Sequence, residues 1–134
     1  METKEDLTVA PQIAGVNETA ITRNIALGTF VYARSGDKGG DANVGLWVQA
    51  GEQQAEKAQW LTHFISEARV RLLIPEAADL EIDVFALPNL HGVNILIHGL
   101  LGEGVAASTR FDPQAKGLGE WLRSRLVNIP EELL

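Results

Sequence analysis

The sequence contains no cysteine, few basic residues and no long apolar run, and each absence excludes a class of function. Without cysteine, the chain has no disulfide, no thiolate ligand for zinc and no cysteine nucleophile. The formal net charge of −7 argues against a general nucleic-acid-binding protein, because neutralising phosphates requires a surplus of Lys and Arg. The longest apolar stretch, residues 93–102, is interrupted by His98 and Gly99 and is too short to cross a bilayer.

The N-terminal segment is acidic and has no clear hydrophobic period. We therefore predict a flexible arm over residues 1–23 and a single domain over residues 24–134. The 134 residues, of which 46% are hydrophobic, are enough to form one packed core. The segment lacks a basic region followed by an apolar one, so it is not typical of a secretory signal, and we expect a cytoplasmic protein.

Hydrophobic periodicity predicts the order strand, strand, helix in two pieces, strand, strand, helix. Strands are predicted in residues 24–33, 43–50, 80–87 and 93–98. Helices are predicted in residues 52–65, 67–74 and 113–126, with Ser66 and Asp112 as N-caps. Residues 127–134 are expected to form a tail. This order predicts an α+β two-layer sandwich of ferredoxin-like type, with a mainly antiparallel sheet and helices on one face, although the first hairpin departs from the simple split βαβ order.

Residues 34–43, RSGDKGGDAN, are interpreted as a loop between the first two strands, with three candidate uses. A strand follows this stretch and no Gly-Lys-Ser/Thr sequence ends it, so it is not a nucleotide-binding P-loop. The first candidate use is a plain connection whose charged residues pair with each other. The second is an anion site formed by glycine N–H groups and basic side chains. The third is a magnesium site with oxygen ligands. The candidate ligand-binding residues are Arg34, Ser35, Asp37, Lys38, Gly39, Gly40, Asp41 and Asn43.

The three histidines do not have the spacing of a zinc site. His98 ends a hydrophobic strand directly before Gly99, where it either bonds to backbone groups or serves as a general acid or base. Asp37, in the glycine-rich stretch, is the second candidate for moving a proton. We predict neither a bound metal nor a cofactor.

The alternation of the strands assigns residues to the two faces of the predicted sheet. The helix-covered face is predicted to carry Val44, Leu46, Val48, Ile82, Val84, Val93, Ile95 and Ile97. The opposite face is predicted to carry Phe30, Tyr32, Arg34, Asn43, Trp47, Gln49, Asp83, Phe85, Asn94, Leu96 and His98. This second face is too aromatic for a simple solvated surface and too polar for a second core. We therefore predict an interface there that includes Tyr32, Trp47, Asn94 and His98.

Three blocks of sequence occur in the same order as in a known family. They are ARSGDKGGDANVGLW, LPNLHGVNILIHGLLGEGVAAS and DPQAKGLGEWLRSR followed by IP, and together they cover roughly residues 26–130. They resemble the C-terminal domain of the AtuA, or acyclic terpene utilisation, family. The resemblance implies a ferredoxin-like fold and a link to bacterial breakdown of citronellol- or geraniol-type compounds through acyl-CoA intermediates. It also leads us to expect a stand-alone chain, without the family's long N-terminal domain.

Two functions are consistent with these features. The first is a non-catalytic binding or assembly module, which forms a homo-oligomer or partners a separately encoded AtuA-like N-terminal protein. The second is a small enzyme or enzyme subunit acting on an acyl-CoA or a related carboxylate, with Arg34 and Lys38 holding the anion and Asp37 or His98 moving a proton. We favour the first, because the sequence contains no nucleophile–base pair, metal-ligand set or cofactor fingerprint. A small anionic ligand is a further candidate partner, and neither nucleic acid nor a membrane is expected.

Overall fold

A computed structural model describes residues 21–102 and 117–134 of the chain. The strands are β1 (Thr22–Ala26), β2 (Val31–Lys38), β3 (Asp41–Val48), β4 (Ile82–Leu87), β5 (Gly92–Ile97) and β6 (Leu126–Pro130). The α-helices are α1 (Gln54–Phe64), α2 (Glu67–Leu73) and α3 (Leu118–Ser124). In this part of the chain, no helix has the length and apolar character needed to cross a bilayer.

Two hairpins form a four-stranded sheet with the order β2-β3-β5-β4, in which every neighbouring pair is antiparallel. The segment from β3 through α1 and α2 to β4 is a split βαβ unit, because β5 lies between its two strands. In the usual ferredoxin-like order, the edge strand that pairs with the first strand of the split βαβ unit, here β3, comes last in the chain. Here that position belongs to β2, which comes before β3. The predicted α+β, ferredoxin-like architecture is confirmed, and so is the departure of the first hairpin.

Local signals set the ends of the helices. The Ser66 hydroxyl accepts a hydrogen bond from the Arg69 N–H at 3.1 Å, so it caps α2 as predicted and separates it from α1. Pro75 begins a 3-10 turn after Ile74, the residue that follows the last residue of α2. The structure places the start of α3 at Leu118, whereas the predicted cap at Asp112 and the predicted residues 113–116 lie outside the described part.

The core lies between the four-stranded sheet and the helices. Leu46 on β3, Ile95 on β5 and Leu61 on α1 are almost completely buried there. The predicted helix-covered face is confirmed: seven of its eight residues are buried, and Val84, on the edge strand β4, is half-buried and packs against the same core. The placement of Phe30 on the open face is wrong. Phe30 directly follows a 3-10 turn and packs edge-to-face against the buried Trp60 of α1, with 5.7 Å between ring centroids.

The strands β1 and β6 form a second, two-stranded sheet that the sequence did not indicate. The predicted first strand is interrupted by a 3-10 turn at Leu27–Thr29, which separates β1 from β2. The predicted tail contains β6, which pairs with β1 in antiparallel register from Thr22–Pro130 to Ala26–Leu126. β1 therefore begins two residues before the predicted domain boundary, and residues 1–20 of the predicted arm lie outside the described part.

Candidate functional site

The glycine-rich stretch is a β-hairpin and not the predicted loop. β2 continues to Lys38, β3 starts at Asp41, and the register pairs these two residues with each other. Gly39 and Gly40 alone form the turn, and Gly39 has a φ of 65°, which glycine adopts without steric strain. Because successive side chains of a strand point to opposite faces, the hairpin divides its charged residues between the two faces of the sheet.

The eight candidate ligand-binding residues therefore do not surround one site. Arg34, Lys38, Asp41 and Asn43 lie on the open face, Ser35 and Asp37 lie on the helix side, and Gly39 and Gly40 lie in the turn. The Ser35 hydroxyl accepts a hydrogen bond from the Gly119 N–H at 2.8 Å, so it helps to fix α3 on β2. Asp37 is paired in register with the buried Ala42. The two candidate proton-transfer residues, Asp37 and His98, thus lie on opposite faces of the sheet.

The open face is the side of the four-stranded sheet that faces away from the helices. Its side chains form four rows that run from the β2 edge to the β4 edge. The first, here called the aromatic row, is Tyr32, Trp47, Gly92 and Leu87; the second is Arg34, Gly45, Asn94 and Phe85; the third is Gly36, Asn43, Leu96 and Asp83. The fourth, here called the charged row, is Lys38, Asp41, His98 and Glu81. The four predicted interface residues all belong to this face.

The aromatic row is held in a fixed arrangement. The rings of Tyr32 and Trp47 are stacked, with 6.1 Å between their centroids, and the Tyr32 hydroxyl donates to the Gln49 side-chain oxygen at 2.9 Å. The Arg123 guanidinium of α3 lies 5.1 Å from the centroid of the Tyr32 ring. Trp47 lies directly beside Gly92, which has no side chain. These contacts fix a partly exposed aromatic surface at one end of the open face.

The middle rows combine one polar contact with apolar surface. The Asn94 side-chain amide donates to the Asn43 side-chain oxygen at 2.9 Å, so these two residues satisfy part of each other's hydrogen-bonding capacity. Beside them, Leu96 is half-buried and Phe85 is 50% exposed. An exposed phenylalanine next to an internally bonded amide pair gives this part of the face a mixed, largely uncharged character.

His98 connects the two halves of the charged row. Its Nε2 lies 2.8 Å from the Oδ2 of Asp83, and its Nδ1 lies 3.5 Å from the Oδ2 of Asp41. The other oxygen of Asp41 accepts a hydrogen bond from the Gly99 N–H at 2.8 Å, which orients that carboxylate. About a third of the His98 side chain is exposed (34%), so the ring remains in contact with solvent.

The carboxylates around His98 favour its protonated form. The hydrogen bond to Asp83 raises the pKa of His98 above its ordinary value of 6.5, and the charges of Glu81, Asp41 and Asp83 raise it further, whereas desolvation of the ring lowers it. His98 is therefore predominantly a cation over a wider pH range than a free histidine. It can donate hydrogen bonds through both ring nitrogens in that state.

We expect Asp83→Asn to move the pKa of His98 back toward 6.5, because this change removes the group that raises it most. The pKa of His98 is higher in the folded state than in the unfolded state. Protonation of His98 therefore stabilises the fold fully below about pH 6.5, and this contribution is lost as the pH rises through the folded-state pKa. The charged groups that face His98 are Asp83, Glu81 and Asp41. An NMR titration of the ring, assigned with His98→Gln, measures the pKa.

The exposed carboxylate of Asp79, in the turn before β4, provides a matched control. Asp79→Asn is expected to leave the titration of His98 unchanged. A pKa of His98 that stays the same in Asp83→Asn, or falls equally in both variants, would contradict the role assigned to the Asp83–His98 hydrogen bond.

The same corner is the part of the open face that could hold a cation. One ligand atom from each of Glu81, Asp83 and His98 lies within 4.8 Å of the other two. A divalent ion bound there would take the place of the hydrogen bond between Asp83 and His98. Glu81 is exposed and the other two residues are half-buried, an arrangement that is common on protein surfaces without an ion.

A cavity of about 560 Å³ lies elsewhere, between α1 and the connection from β4 to β5. Its lining includes Gln59, Thr62 and His63 from α1, with Pro88 and His91 from the connection. This cavity does not include His98 or any residue of the β2–β3 hairpin, so it does not connect the two groups that the sequence suggested for an enzyme.

Two residues of this face, and Arg123 of α3 beside it, were not singled out by the sequence. Glu81 could have been found from the alternation of residues 81, 83 and 85, which brings it to the same face as Asp83. Gly92 is the last residue of the predicted turn PNLHG, between the strands predicted at 80–87 and 93–98, and gave no sign of its contact with Trp47. Arg123 lies on a helix far along the chain from Tyr32, and no local pattern indicates that it reaches the sheet.

Comparison with known proteins agrees with this architecture. The family model described as the AtuA ferredoxin-like domain matches residues 25–128. No curated protein and no solved structure gives a significant match. The matched range includes the four-stranded sheet, its helices and every residue of the open face. The chain therefore belongs to the AtuA ferredoxin-like domain family.

Proposed function

We propose that this domain is a non-catalytic binding and assembly module that uses the open face as a protein contact surface. The observation that carries this proposal is the partly exposed aromatic surface on one face of the sheet, where Phe85 is 50% and Tyr32 is 37% exposed. Aromatic residues are enriched in the buried centres of protein interfaces. A sheet face that combines them with paired polar groups has the composition of such a contact.

The rigidity of this surface supports the same function. Tyr32 and Trp47 are fixed by stacking, by Gln49 and by Arg123, and the amide pair of Asn43 and Asn94 restrains the centre of the face. Binding through side chains that are already ordered loses less conformational entropy than binding through mobile ones.

The family supports a metabolic setting for this module. The match identifies an AtuA ferredoxin-like domain. The resemblance of the three sequence blocks to the C-terminal domain of that family suggests acyclic terpene or acyl-CoA catabolism as the setting, with an accessory role beside an AtuA-like N-terminal protein. In this setting the domain contributes assembly, while the chemistry is carried out by its partners.

One observation favours a small enzyme as the second candidate. His98 lies between Asp83 and Asp41 with a raised pKa, as a general acid for a carboxylate or acyl-CoA substrate would. Arg34 and Lys38 are on the same face and would hold the anion. Asp37 is on the other face, however, and the hairpin places no nucleophile beside His98. The assembly function therefore accounts for more of the open face.

We expect Phe85→Ser to weaken self-association of the protein about tenfold or more, because it removes an exposed aromatic ring from the proposed contact surface. Leu72→Ser, on α2, is the matched control. It exchanges a side chain that is 73% exposed and lies away from the open face, so association should be unchanged. Sedimentation equilibrium over a wide range of protein concentration measures both.

Fluorescence quenching of Trp47 gives an independent measurement. Trp60 is buried and Trp121 is 42% exposed, so a Trp121→Phe background leaves Trp47 as the accessible fluorophore. Association through the open face should protect Trp47 from acrylamide as the protein concentration rises. A protein that remains monomeric at every concentration, with Trp47 freely quenched, would contradict the proposed function.

A further inference from the structure

The charged row has a pattern that is complementary to itself. From the β2 edge to the β4 edge, its charges alternate in sign: Lys38, Asp41, protonated His98 and Glu81. A second copy of the sheet can be stacked face to face on the first about a two-fold axis that lies between them, parallel to the strands. In this dimer the strand order of the second copy is reversed, and each row lies opposite the same row of the partner. Lys38 then faces the partner's Glu81, and Asp41 faces the partner's His98.

The same axis also matches the first and second rows by size and chemistry. Arg34 faces the ring of the partner's Phe85, which suits a cation–π contact. In the aromatic row, the large Trp47 faces the partner's Gly92, which is the smallest residue of the row. Gly92 places no side chain opposite the partner's indole, which permits a close approach between the two sheets.

The other face-to-face arrangement is unfavourable. A two-fold axis perpendicular to the strands would place the charged row on the partner's aromatic row. Glu81 would then lie against the partner's Leu87, and Asp41 would lie against its Trp47. Burying these charges without opposite partners costs several kcal/mol per group. The charge pattern thus selects the axis parallel to the strands.

The size of the face indicates how strong this association should be. Four strands are about 19 Å wide and four alternate residues are about 27 Å long, so each copy buries about 500 Å². The total of about 1,000 Å² is near the lower limit for a specific interface. A reversible dimer is expected, with a population that depends on protein concentration. Lys38 and Glu81 at the corners have long side chains that can follow the rotation of about 30° between aligned sheets.

We propose that the open face binds a second copy of this chain about a two-fold axis parallel to the strands, with a Lys38–Glu81 ion pair at each side of the interface. This inference rests on the proposed assembly function and names the partner of that surface. Within one chain, Lys38 and Glu81 lie on opposite edge strands, about 14 Å apart across the sheet. Neither residue therefore pairs with the other inside the same molecule.

Charge reversal at the two positions tests the arrangement. In the dimer of Lys38→Glu, and equally in that of Glu81→Lys, like charges meet at both sides, so each variant alone should associate at least tenfold more weakly than the wild type. When the two variants are mixed in equal amounts, opposite charges meet at both sides again. The mixture should therefore form a one-to-one heterodimer with nearly wild-type affinity. Analytical ultracentrifugation at low salt, with one variant fluorescently labelled, measures the association of each single variant and of the mixture.

A control for net charge is available on the opposite side of the molecule. Glu56→Lys reverses an exposed charge on α1 and changes the net charge as Glu81→Lys does, so association should stay close to that of the wild type. Weaker single variants with recovery in the mixture would support the proposal. Recovery also shows that both variants are folded.

The other outcomes separate this inference from the function on which it rests. If Phe85→Ser weakens association but charge reversal has no effect, or the mixture does not recover, the two-fold arrangement is overturned and the assembly function stands. If Phe85→Ser itself has no effect on association, the assembly function is overturned, and the inference with it.

Discussion

Gly92→Ala is expected to lower the free energy of unfolding by about 3 kcal/mol or more, although it adds one methyl group. A Cβ atom at this position would collide with the backbone carbonyl oxygen of Leu46 and lie 2.9 Å from the Cβ of Trp47. Both neighbours belong to β3, which is paired with β5 along its length. The colliding atom is backbone in the centre of a sheet, so it cannot move aside without breaking the pairing of these strands.

Gly45→Ala is the matched control, since Gly45 is on the same face and on a neighbouring strand. Its nearest neighbour outside the adjacent residues is the Asn94 side-chain oxygen, 3.8 Å from an added Cβ, which is an ordinary contact distance. We expect its stability to stay within about 1 kcal/mol of the wild type. Urea unfolding followed by circular dichroism measures both variants. Equal losses at the two positions would show that the contact with β3 is not the cause.

Arg123→Met is the second change with a large expected effect, a loss of about 3 kcal/mol in the free energy of unfolding. The Arg123 guanidinium donates to the carbonyl oxygens of Val31 at 2.8 Å and Gly28 at 3.1 Å, and it also lies over the ring of Tyr32. Methionine keeps the apolar stem but leaves both carbonyls without this donor. The ring of Tyr32 also loses its cation, so the aromatic row should become more mobile.

Arg69→Met tests whether this loss is specific. Arg69 is an exposed residue of α2 whose guanidinium lies 4.6 Å from the centroid of the Phe64 ring, so its removal should cost less than about 1 kcal/mol. Thermal and urea unfolding measure the stability of both variants, and near-ultraviolet circular dichroism reports the environment of Tyr32. If Arg123→Met is no more destabilising than Arg69→Met, then Arg123 does not join α3 to β2 as described.

The elements with strong local signals could be predicted from the sequence. Alternating apolar residues identified β3 and β5, because one face of each strand is buried under the helices and the other is not. Ser66 and Pro75 identified the ends of α2, since an N-cap side chain and a proline act on the backbone beside them. For such segments the local preference and the tertiary structure agree.

The β2–β3 hairpin shows why other parts could not be predicted. Residues 34–38 are polar, charged or glycine, and a strand with such residues has low intrinsic propensity. It forms because the following strand supplies its hydrogen bonds and because half of its side chains point away from the core. β6 was even harder to predict. Its partner β1 lies about 100 residues earlier in the chain, and no nearby residue indicates the pairing.

For the candidate site, the sequence predicted which residues lie on the same face of the sheet but not which of them are in contact. Period-two alternation placed Trp47, Asn94 and His98 on the same face, and this prediction is confirmed. The bond between His98 and Asp83 depends on the register of β4 on β5, which is set by the 3-10 turn at Pro88–Leu90. The sequence indicates that a turn is present there, but not how many residues it contains.

The two sheets also differ in how their strands find each other during folding. The β2–β3 and β4–β5 hairpins join neighbouring segments, whereas the bond between Asn24 of β1 and Asn128 of β6 joins residues 104 positions apart. Closing so long a loop has a high entropic cost until the intervening chain is compact. The four-stranded sheet can therefore form with the open face complete before β1 and β6 meet. We therefore expect the pairing of β1 with β6 to form late in folding, after the surface proposed for assembly.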